Sequence, residues 1–215
     1  MAKYDVILFD LDGTISDSAI GIKKCIELTL EEMGKEIPNL SDYSNYVGPP
    51  LVDTFHNLCK LDMDKAYEAI IIYRKYYQVE GVKNNSLFKG MYEVLQEIKK
   101  ENIKMVICTS KTEHLAREVL DYLNIEEFFD DVCGSLPNGK RKTKVELIKY
   151  VNEKLNLDEN AKLVLIGDTK FDARGAIESK IDFIGASYGY GKTEDIINEG
   201  AKILVDKPED ILKYV

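Results

Sequence analysis

The sequence contains few of the residues on which zinc proteins and small secreted domains depend. Its 215 residues include four cysteines, two histidines and no tryptophan. The cysteines are widely separated and none of them forms a Cys-x-x-Cys pair, so neither a zinc site nor a disulfide framework is indicated. Reduced thiols in a cytoplasmic protein are the simpler interpretation. The cysteines are Cys25, Cys59, Cys108 and Cys133.

An excess of positive charge is also missing. The chain carries 29 lysines and arginines against 38 aspartates and glutamates, a formal net charge of -9. Nucleic acid polymers and anionic membrane surfaces are bound through clusters of basic side chains, so we expect neither as a partner. An anionic ligand must therefore be small and bound at one local site.

Long apolar runs are the third absence. No segment approaches the roughly 20 apolar residues that span a bilayer. The residues before Asp10 provide too short an apolar run for a signal peptide. Hydrophobic residues nevertheless make up 45% of the chain, which is ordinary for an ordered globular protein. We therefore expect a cytoplasmic protein with one main core and an inserted subdomain.

Short apolar runs alternate with amphipathic helical segments along most of the chain. The runs are apolar on both faces, which is typical of buried parallel strands. The alternation predicts an α/β fold with a doubly wound, Rossmann-like parallel sheet and helices on both of its faces. The runs are VILF at 6–9, MVICT at 105–109, DVCGS at 131–135, LVLIG at 163–167, FIGAS at 183–187 and KILVD at 202–206.

One interval interrupts this alternation. Residues 10–104 have a helical pattern without a convincing strand, and the interval is far longer than a crossover between parallel strands requires. We predict a helical domain at 17–84 inserted into a catalytic α/β core that is formed by 1–16 and 85–215.

Acidic and hydroxyl side chains lie at the carboxyl ends of three runs. Ligands of a doubly wound sheet bind outside the carboxyl ends of its strands, so we expect these side chains to meet. Several carboxylates in one place repel one another unless a cation lies among them, and a donor set of oxygens suits Mg²⁺. The sequence therefore indicates magnesium and phosphate chemistry. The residues are Asp10 and Asp12 after VILF, Thr109 and Ser110 at the end of MVICT, and Asp168 and Asp172 after LVLIG.

Asp10 and Asp12 have the type and spacing that covalent phosphate chemistry needs. An aspartate beside a metal can attack phosphorus and form an aspartyl-phosphate, while a second carboxylate exchanges protons with the leaving group and with water. Gly13 allows the chain to turn sharply behind them. A solvated turn is the alternative for these residues, but the second acidic cluster at 168–172 argues against it.

A phosphoryl group in transfer also needs hydroxyl donors and a fixed cation. Thr109 and Ser110 can supply hydroxyl and N–H groups. Lys144 is the preferred cation because it opens an amphipathic helix that leads into LVLIG. Lys140 and Lys142 are the alternatives, although charges in such a loop are usually solvated.

These motifs together resemble those of the haloacid dehalogenase superfamily of phosphatases. DLDGT at 10–14, the hydroxyl of Thr109, Lys144 and GDTKFD at 167–172 occur in the order of that family's four motifs. The resemblance covers essentially the full length of the chain. It implies that the hydroxyl and the lysine hold the phosphoryl group and that the inserted segment is a helical cap.

The resemblance also implies a role for each acidic residue. Asp10 would be the nucleophile and a metal ligand, and Asp12 the general acid and base, which also binds the metal through its backbone carbonyl. Asp168 would be the other protein ligand of Mg²⁺, with Asp172 supporting the site. The implied activity is Mg²⁺-dependent hydrolysis of a phosphate monoester through an aspartyl-phosphate.

A particular branch of that superfamily is similar to this chain. YVGPPL at 46–51 resembles the cap loop near the substrate in phosphoglycolate phosphatases, which points to Gly48 and Pro49. The C-terminal region is similar to chains labelled phosphoglycolate phosphatase or 5′-nucleotidase. The resemblance therefore implies that the partner is a small phosphorylated metabolite.

Two other functions use similar residues. A receiver-type signalling domain combines aspartates, Mg²⁺, a threonine and a lysine on a doubly wound sheet, but its acceptor aspartate follows a later strand and it has no helical insertion. A sugar phosphomutase of the same superfamily uses the same aspartyl-phosphate, so it is the nearer alternative.

Two further features receive structural interpretations. GASYGYGKT at 185–193 resembles a nucleotide-binding P-loop, but five residues separate Gly185 from Gly191 where a P-loop has four. We interpret it as a glycine-rich turn before a helix. Asp17 lies at the entrance to the inserted segment, where we expect it to cap a helix or support a hinge.

Overall fold

A computed structural model describes residues 3–137 and 139–215 of the protein. Its strands lie at β1 Val6–Phe9, β2 Ser16–Asp17, β3 Ser86–Leu87, β4 Lys104–Thr112, β5 Asp131–Ser135, β6 Leu163–Gly167, β7 Asp182–Ala186 and β8 Ile203–Val205. Its α-helices lie at α1 Ala19–Glu32, α2 Leu51–Asp53, α3 Met63–Tyr76, α4 Met91–Lys100, α5 Glu113–Tyr122, α6 Lys144–Leu155, α7 Lys170–Glu178 and α8 Thr193–Asn198.

A six-stranded parallel sheet forms the centre of the molecule. Its strand order is β5-β4-β1-β6-β7-β8, with parallel pairing throughout. The first strand of the chain is central, since Val6 is in register with Lys104 on one side and with Leu163 on the other. The strand order reverses beside β1, so the ligand edge expected of a doubly wound sheet lies at the end of this strand.

Strand β1 explains why the runs are apolar on both faces. Ile7 and Phe9 belong to a hydrophobic cluster on one face of the sheet, and Val6 and Leu8 belong to a second cluster on the other. Helices α4 and α5 contribute side chains to the first cluster, and α6 and α7 to the second. The predicted α/β fold, with helices on both faces of a parallel sheet, is confirmed.

The inserted segment is helical, and it leaves and rejoins the main sheet through a pair of very short strands. Ser16 pairs with Leu87, and Asp17 with Ser86, in an antiparallel β2–β3 ladder. The sequence showed no strand in this interval, because strands of two residues are too short to produce a hydrophobic pattern. The division of the chain at 17 and 84 stays a prediction.

Helices of several types make up this segment. Helix α1 packs against α3, and buried aromatic and aliphatic side chains fill the space between them. Short π-helices at Thr54–Leu58 and Tyr77–Gly81 follow α2 and α3. Across the described parts of the chain, no helix has both the length and the apolar content needed to cross a bilayer.

Candidate active site

The ends of three neighbouring strands bring the predicted site residues together. Asp10 follows β1, Thr109 lies near the end of β4, and Asp168 follows β6. Because β1 lies between β4 and β6, these side chains share one edge of the sheet. All three are buried, with exposed fractions of 6%, 1% and 0%.

Lys144 is the first residue of α6 and reaches the centre of this edge. Its Nζ lies 2.7 Å from Asp10 Oδ1 and 2.7 Å from Asp172 Oδ1. It also donates a 2.6 Å hydrogen bond to the carbonyl of Cys108. A capping box between Thr143 and Glu146 fixes the beginning of the helix and thereby the direction of the lysine.

The other lysines of this loop lie differently. Lys140 and Lys142 are both exposed, and the backbone N–H of Lys142 donates to the Glu146 carboxylate at the surface. Helix α7 can approach Lys144 closely because it carries Gly175, where a Cβ would lie 2.2 Å from the Cβ of Lys144. The geometry therefore favours Lys144 over Lys140 and Lys142 as the cation beside the acids.

Three carboxylates share this buried space with that one lysine. Asp10, Asp168 and Asp172 each offer an oxygen, and these oxygens lie within 4.8 Å of one another. Burial raises the pKa of Asp10 to about 6, against the opposing effect of Lys144. Burial likewise raises the pKa of Asp168 well above its usual value, and the neighbouring Asp172 and Asp10 add to the shift.

The cluster has the composition of a divalent cation site. One ammonium group cannot balance three carboxylates, and the raised pKa values of two of them show how poorly this space tolerates the excess negative charge. All donors are oxygens, which suits a hard cation such as Mg²⁺. Burial acts to lower the pKa of Lys144, but Asp10 and Asp172 raise it above its usual value, so the lysine stays charged.

Asp168 is held by a loop that follows β7. The backbone N–H groups of Tyr190 and Gly191 donate to Asp168 Oδ2 over 2.8 and 3.3 Å. Gly189 packs so closely that a Cβ there would lie 2.3 Å from the Cβ of Asp168. The segment that resembles a P-loop is therefore a glycine-rich turn that packs around a carboxylate, and the sequence predicted the turn but not its contact with Asp168.

Two further residues complete this carboxylate's surroundings. Thr14 donates from its hydroxyl to Asp168 Oδ1 over 3.3 Å. Gly13 has a φ of +87°, and a Cβ there would lie 2.2 Å from Asp168 Oδ2. A side chain at position 13 would therefore displace the carboxylate as well as strain the turn.

Asp172 takes its position from the helix that it begins. It is the third residue of α7, and its Oδ2 accepts hydrogen bonds from the backbone N–H and the hydroxyl of Thr169 over 3.0 and 2.7 Å. Its other oxygen faces Lys144. Asp172 is completely buried, and it anchors both the lysine and the turn that carries Asp168.

Asp12 pairs with a residue that sequence reasoning did not select. Lys111 Nζ lies 2.7 Å from Asp12 Oδ2 and 4.0 Å from the centre of the Tyr77 ring. Burial acts to lower the pKa of Lys111, but Asp12 and Tyr77 raise it above its usual value. The available signal was its place directly after Thr109 and Ser110.

The hydroxyl residues of β4 lie at an irregular point of the strand. Pairing between β4 and β5 shifts register between Thr109 and Thr112. Thr109 accepts a 3.2 Å hydrogen bond from the backbone N–H of Lys111. Ser110 is half-buried, and its carbonyl accepts a 2.8 Å hydrogen bond from the hydroxyl of Ser135. Thr109 thus lies deeper at the site than Ser110.

The inserted segment approaches the same edge of the sheet. Gly48 has a φ of +97°, and a Cβ there would lie 2.5 Å from the Cγ2 of Thr169. Pro49 lines a cavity of about 490 Å³ between the inserted segment and the loops after β6 and β7. Gly48 and Pro49 are therefore beside the residue that links Asp168 to α7.

Asp17 is bound differently from the capping role that we considered. The N-cap of α1 is Ser18, and its side chain makes no capping hydrogen bond. Asp17 lies in β2, and Oδ1 accepts a hydrogen bond from the hydroxyl of Tyr190. Asp17 therefore ties the loop that holds Asp168 to the start of the inserted segment.

Comparison with known proteins agrees with this geometry. Residues 7–186 match the family described as haloacid dehalogenase-like hydrolase. A 5′-nucleotidase of Pseudomonas aeruginosa is 32% identical over 90% of this chain and 87% of that protein. A phosphoglycolate phosphatase of Aquifex aeolicus is 29% identical over 98% of this chain and 96% of that protein. The tyrosine-protein kinase PtkA of Mycobacterium tuberculosis is 33% identical over 89% of this chain, which spans 65% of that longer protein.

A solved structure shares the whole architecture. The crystal structure of a predicted phosphatase from Clostridium acetobutylicum is 33% identical to this chain, with a TM-score of 0.91. The match covers 99% of this chain and 98% of that one. The chain therefore belongs to the haloacid dehalogenase-like hydrolase family, and it is a phosphatase of that family.

Proposed function

We propose that this phosphatase hydrolyses small phosphate monoesters with Mg²⁺ and through a phosphorylated Asp10. The observation that carries the proposal is the buried group of Asp10, Asp168 and Asp172 around one lysine. Such a group is costly to keep in a protein interior unless a cation and a phosphate use it.

The carboxylates of Asp10 and Asp168 and the backbone carbonyl of Asp12 would hold Mg²⁺. When bound, the ion neutralises the negative charge that builds up on the phosphoryl oxygens. Asp172 keeps its carboxylate on Lys144 and on the turn at Thr169, so we assign it a supporting role.

Asp10 and Asp12 divide the chemistry between them. The Asp10 carboxylate attacks phosphorus, and the bond from phosphorus to the ester oxygen breaks as Asp12 gives that oxygen a proton. Asp12 then takes a proton from water, and the water oxygen attacks the phosphorus of the phosphorylated Asp10. Inorganic phosphate leaves, and both side chains return to their starting protonation states. Lys144, Thr109 and Ser110 hold the phosphoryl oxygens during both steps.

The inserted segment at 17–84 would act as a cap domain on the core at 1–16 and 85–215. Gly48 and Pro49 bring it beside the acidic residues. Closure would exclude bulk water and select the leaving group, and opening would release the product. The β2–β3 ladder is where the motion would be centred.

The substrate would be a small phosphorylated metabolite, with phosphoglycolate and nucleoside 5′-monophosphates as the first candidates. The names of the Aquifex and Pseudomonas relatives support these two classes. The net charge of -9 leaves little surface for a polyanionic partner such as nucleic acid.

A screen of phosphate esters tests the proposal. Wild-type protein with Mg²⁺ is incubated with phosphoglycolate, nucleoside 5′-monophosphates, hexose phosphates and p-nitrophenyl phosphate, and released phosphate is measured. We expect steady turnover that a chelator stops and that Asp10→Asn abolishes. Isomerisation of a hexose 1-phosphate without phosphate release would instead indicate a phosphomutase, and one stable phosphorylation without turnover a receiver domain.

The PtkA relative makes one further assay necessary. The protein is incubated with γ-labelled ATP and Mg²⁺, and the label is followed in free phosphate and on the protein. Label in free phosphate, without label on the protein that survives treatment with both acid and base, agrees with the proposal. Stable label on tyrosine, without phosphate release from any ester, would overturn it.

A further inference from the structure

Asp12 is held by one oxygen and free at the other. Its Oδ2 lies 2.7 Å from Lys111 Nζ. Its Oδ1 is buried and has no hydrogen-bond partner within residues 3–137 and 139–215. A carboxylate fixed in this way presents one particular oxygen to whatever binds beside it.

Lys111 is itself held from the inserted segment. The ammonium lies 4.0 Å from the centre of the Tyr77 ring, and Tyr77 is completely buried at the beginning of the π-helix Tyr77–Gly81. The side chain of Lys111 is only 8% exposed. An ammonium over an aromatic face is attracted to it, and the attraction is larger when water is excluded.

Tyr77 is in turn tied to the point where the chain enters and leaves the inserted segment. Its hydroxyl accepts a 3.2 Å hydrogen bond from the Asn85 side chain, and Asn85 Oδ1 accepts a 2.7 Å bond from the Ser16 hydroxyl. Ser16 belongs to β2 and lies next to β3 in the short ladder. Contacts therefore run from this ladder through Tyr77 and Lys111 to Asp12.

Packing alone does not explain a buried lysine at position 111. A buried ion pair loses the hydration of both charges, and an apolar side chain of similar size often gives equal or greater stability. Lys111 also does not touch the acidic cluster at Asp10, where Lys144 already supplies the cation. The contacts of Lys111 thus indicate that its role is to hold the Asp12 carboxylate.

We propose that Lys111 is a positioning residue: it fixes Asp12 so that the free oxygen faces the leaving group, and Tyr77 makes this placement depend on closure of the inserted segment. The inference rests on the proposed phosphatase function. It assigns Lys111 to proton transfer at the ester oxygen rather than to binding of the phosphoryl group.

This assignment has a consequence that a general loss of packing would not share. An alkyl ester oxygen leaves as a strong base and needs a proton in the transition state, whereas p-nitrophenolate leaves readily without one. A misplaced Asp12 should therefore slow alkyl esters far more than p-nitrophenyl phosphate. The parameter kcat/KM isolates this first bond-breaking step from the later hydrolysis of the phosphorylated enzyme.

The experiment compares both ester types in matched variants. We expect Lys111→Met to lower kcat/KM for the best alkyl ester of the screen by about 100-fold or more, because general acid catalysis contributes about 10² to 10⁴. For p-nitrophenyl phosphate the same variant should lose less than about fivefold. Lys111→Arg, which keeps the charge, should recover part of the alkyl activity, and Lys142→Met serves as the control for loss of a positive charge.

The tyrosine is tested in the same way. Tyr77→Phe keeps the ring face under Lys111 but loses the hydroxyl bond to Asn85, so the ratio of the two kcat/KM values should shift only part of the way toward that of Lys111→Met. Tyr77→Leu removes the face and should shift the ratio in the direction of Lys111→Met. If circular dichroism and thermal melting show that Lys111→Met does not fold, the comparison of Tyr77→Phe with Tyr77→Leu still tests the positioning of Lys111.

The outcomes separate the two proposals. If the wild type hydrolyses neither ester with Mg²⁺, the proposed function fails. If the wild type hydrolyses both, but Lys111→Met loses the same factor on each ester, the positioning role is wrong and the proposed function stands. Equal ratios in Tyr77→Leu and Tyr77→Phe would likewise overturn the link to the inserted segment.

Discussion

Lys144 Nζ lies 2.7 Å from Asp10 Oδ1, although 134 positions separate the two residues in the sequence. This ion pair joins the first strand of the sheet to the beginning of α6. The same ammonium holds Asp172, so one side chain organises acids that come from β1 and α7. The site therefore depends on a buried cation as much as on its carboxylates.

Replacing Asp10 with asparagine should abolish turnover while preserving the fold. The change keeps the shape of the side chain but removes the nucleophilic carboxylate, so we expect kcat to fall by more than about 1,000-fold. Phosphate release from the best ester of the screen measures the effect. Asp121→Asn is the matched control, because Asp121 is exposed near the end of α5, and it should keep most of the activity. Comparable losses in both variants would contradict the assignment of the nucleophile.

Replacing Lys144 with methionine should destabilise the metal-free protein. Three carboxylates would then share a buried space without a cation, and removal of one partner from a buried pair typically costs about 3–5 kcal/mol. Chemical denaturation in the presence of EDTA measures the free energy of unfolding of the metal-free protein. Added Mg²⁺ should recover part of the lost stability. Lys142→Met is the control, since Lys142 is exposed, and its stability should match the wild type. A Lys144→Met protein as stable as the wild type in EDTA would show that the acids do not need the lysine.

Stability in EDTA should decrease as the pH rises through the pKa of Asp10. Burial raises this pKa from 3.8 to about 6, so the folded state binds the proton more tightly than the unfolded chain. The stabilisation from this proton is complete below 3.8 and is lost as the pH rises through about 6. Thermal melting between pH 5 and pH 8, at about half-unit steps, measures it. Asp10→Asn should show a weaker decrease.

The stabilisation by added Mg²⁺ should depend on pH in the opposite direction. The ion binds the deprotonated carboxylates, so the rise in melting temperature on adding Mg²⁺ should grow as the pH increases from 5 to 8. The raised pKa of Asp168 acts in the same direction. A magnesium effect that is largest at pH 5 would be inconsistent with binding to these two carboxylates.

Linking the inserted segment to the core should slow turnover. Asn45 of the inserted segment and Lys192 of the core are exposed, and both line the cavity of about 490 Å³. In the variant N45C/K192C, a disulfide-containing bismaleimide should join the two positions and lower kcat by about tenfold or more, because closure and release need relative motion. Cleavage of the linker with a reductant should restore kcat, and unchanged turnover in the linked protein would refute gating.

The native cysteines should not interfere with that labelling. All four are buried, and burial raises the pKa of Cys59 to about 11 and those of the other three to about 12. A thiol with such a pKa is almost entirely protonated at neutral pH and reacts slowly. Each single variant, N45C or K192C, treated with a monofunctional maleimide, is the control for modification alone.

The fold was predictable because its strands are buried on both faces. Residues such as Ile7 and Leu8 lie in different hydrophobic clusters, so neither face of the strand is polar and the run is unmistakable in the sequence. Strands β2 and β3 were not predictable, because each consists of two residues and their pairing depends on contacts across the inserted segment.

The site was predictable where function follows directly from position at a strand end. Asp10 and Asp168 belong to this class. The place of Lys111 after Thr109 and Ser110 puts it near the site, but its pairing with Asp12 depends on an irregular strand end and on Tyr77 of a distant segment. The contact of Gly189 with Asp168 was hidden for a related reason, since glycine spacing predicts a turn but not the side chain against which the turn packs.

The central place of β1 also affects how the protein is made. This strand is synthesised before both of its partners, which begin at Lys104 and Leu163. At a synthesis rate of about 5–20 residues per second, on the order of ten seconds pass before both neighbouring strands have been synthesised. Until then, the four apolar residues of β1 cannot be buried between β4 and β6.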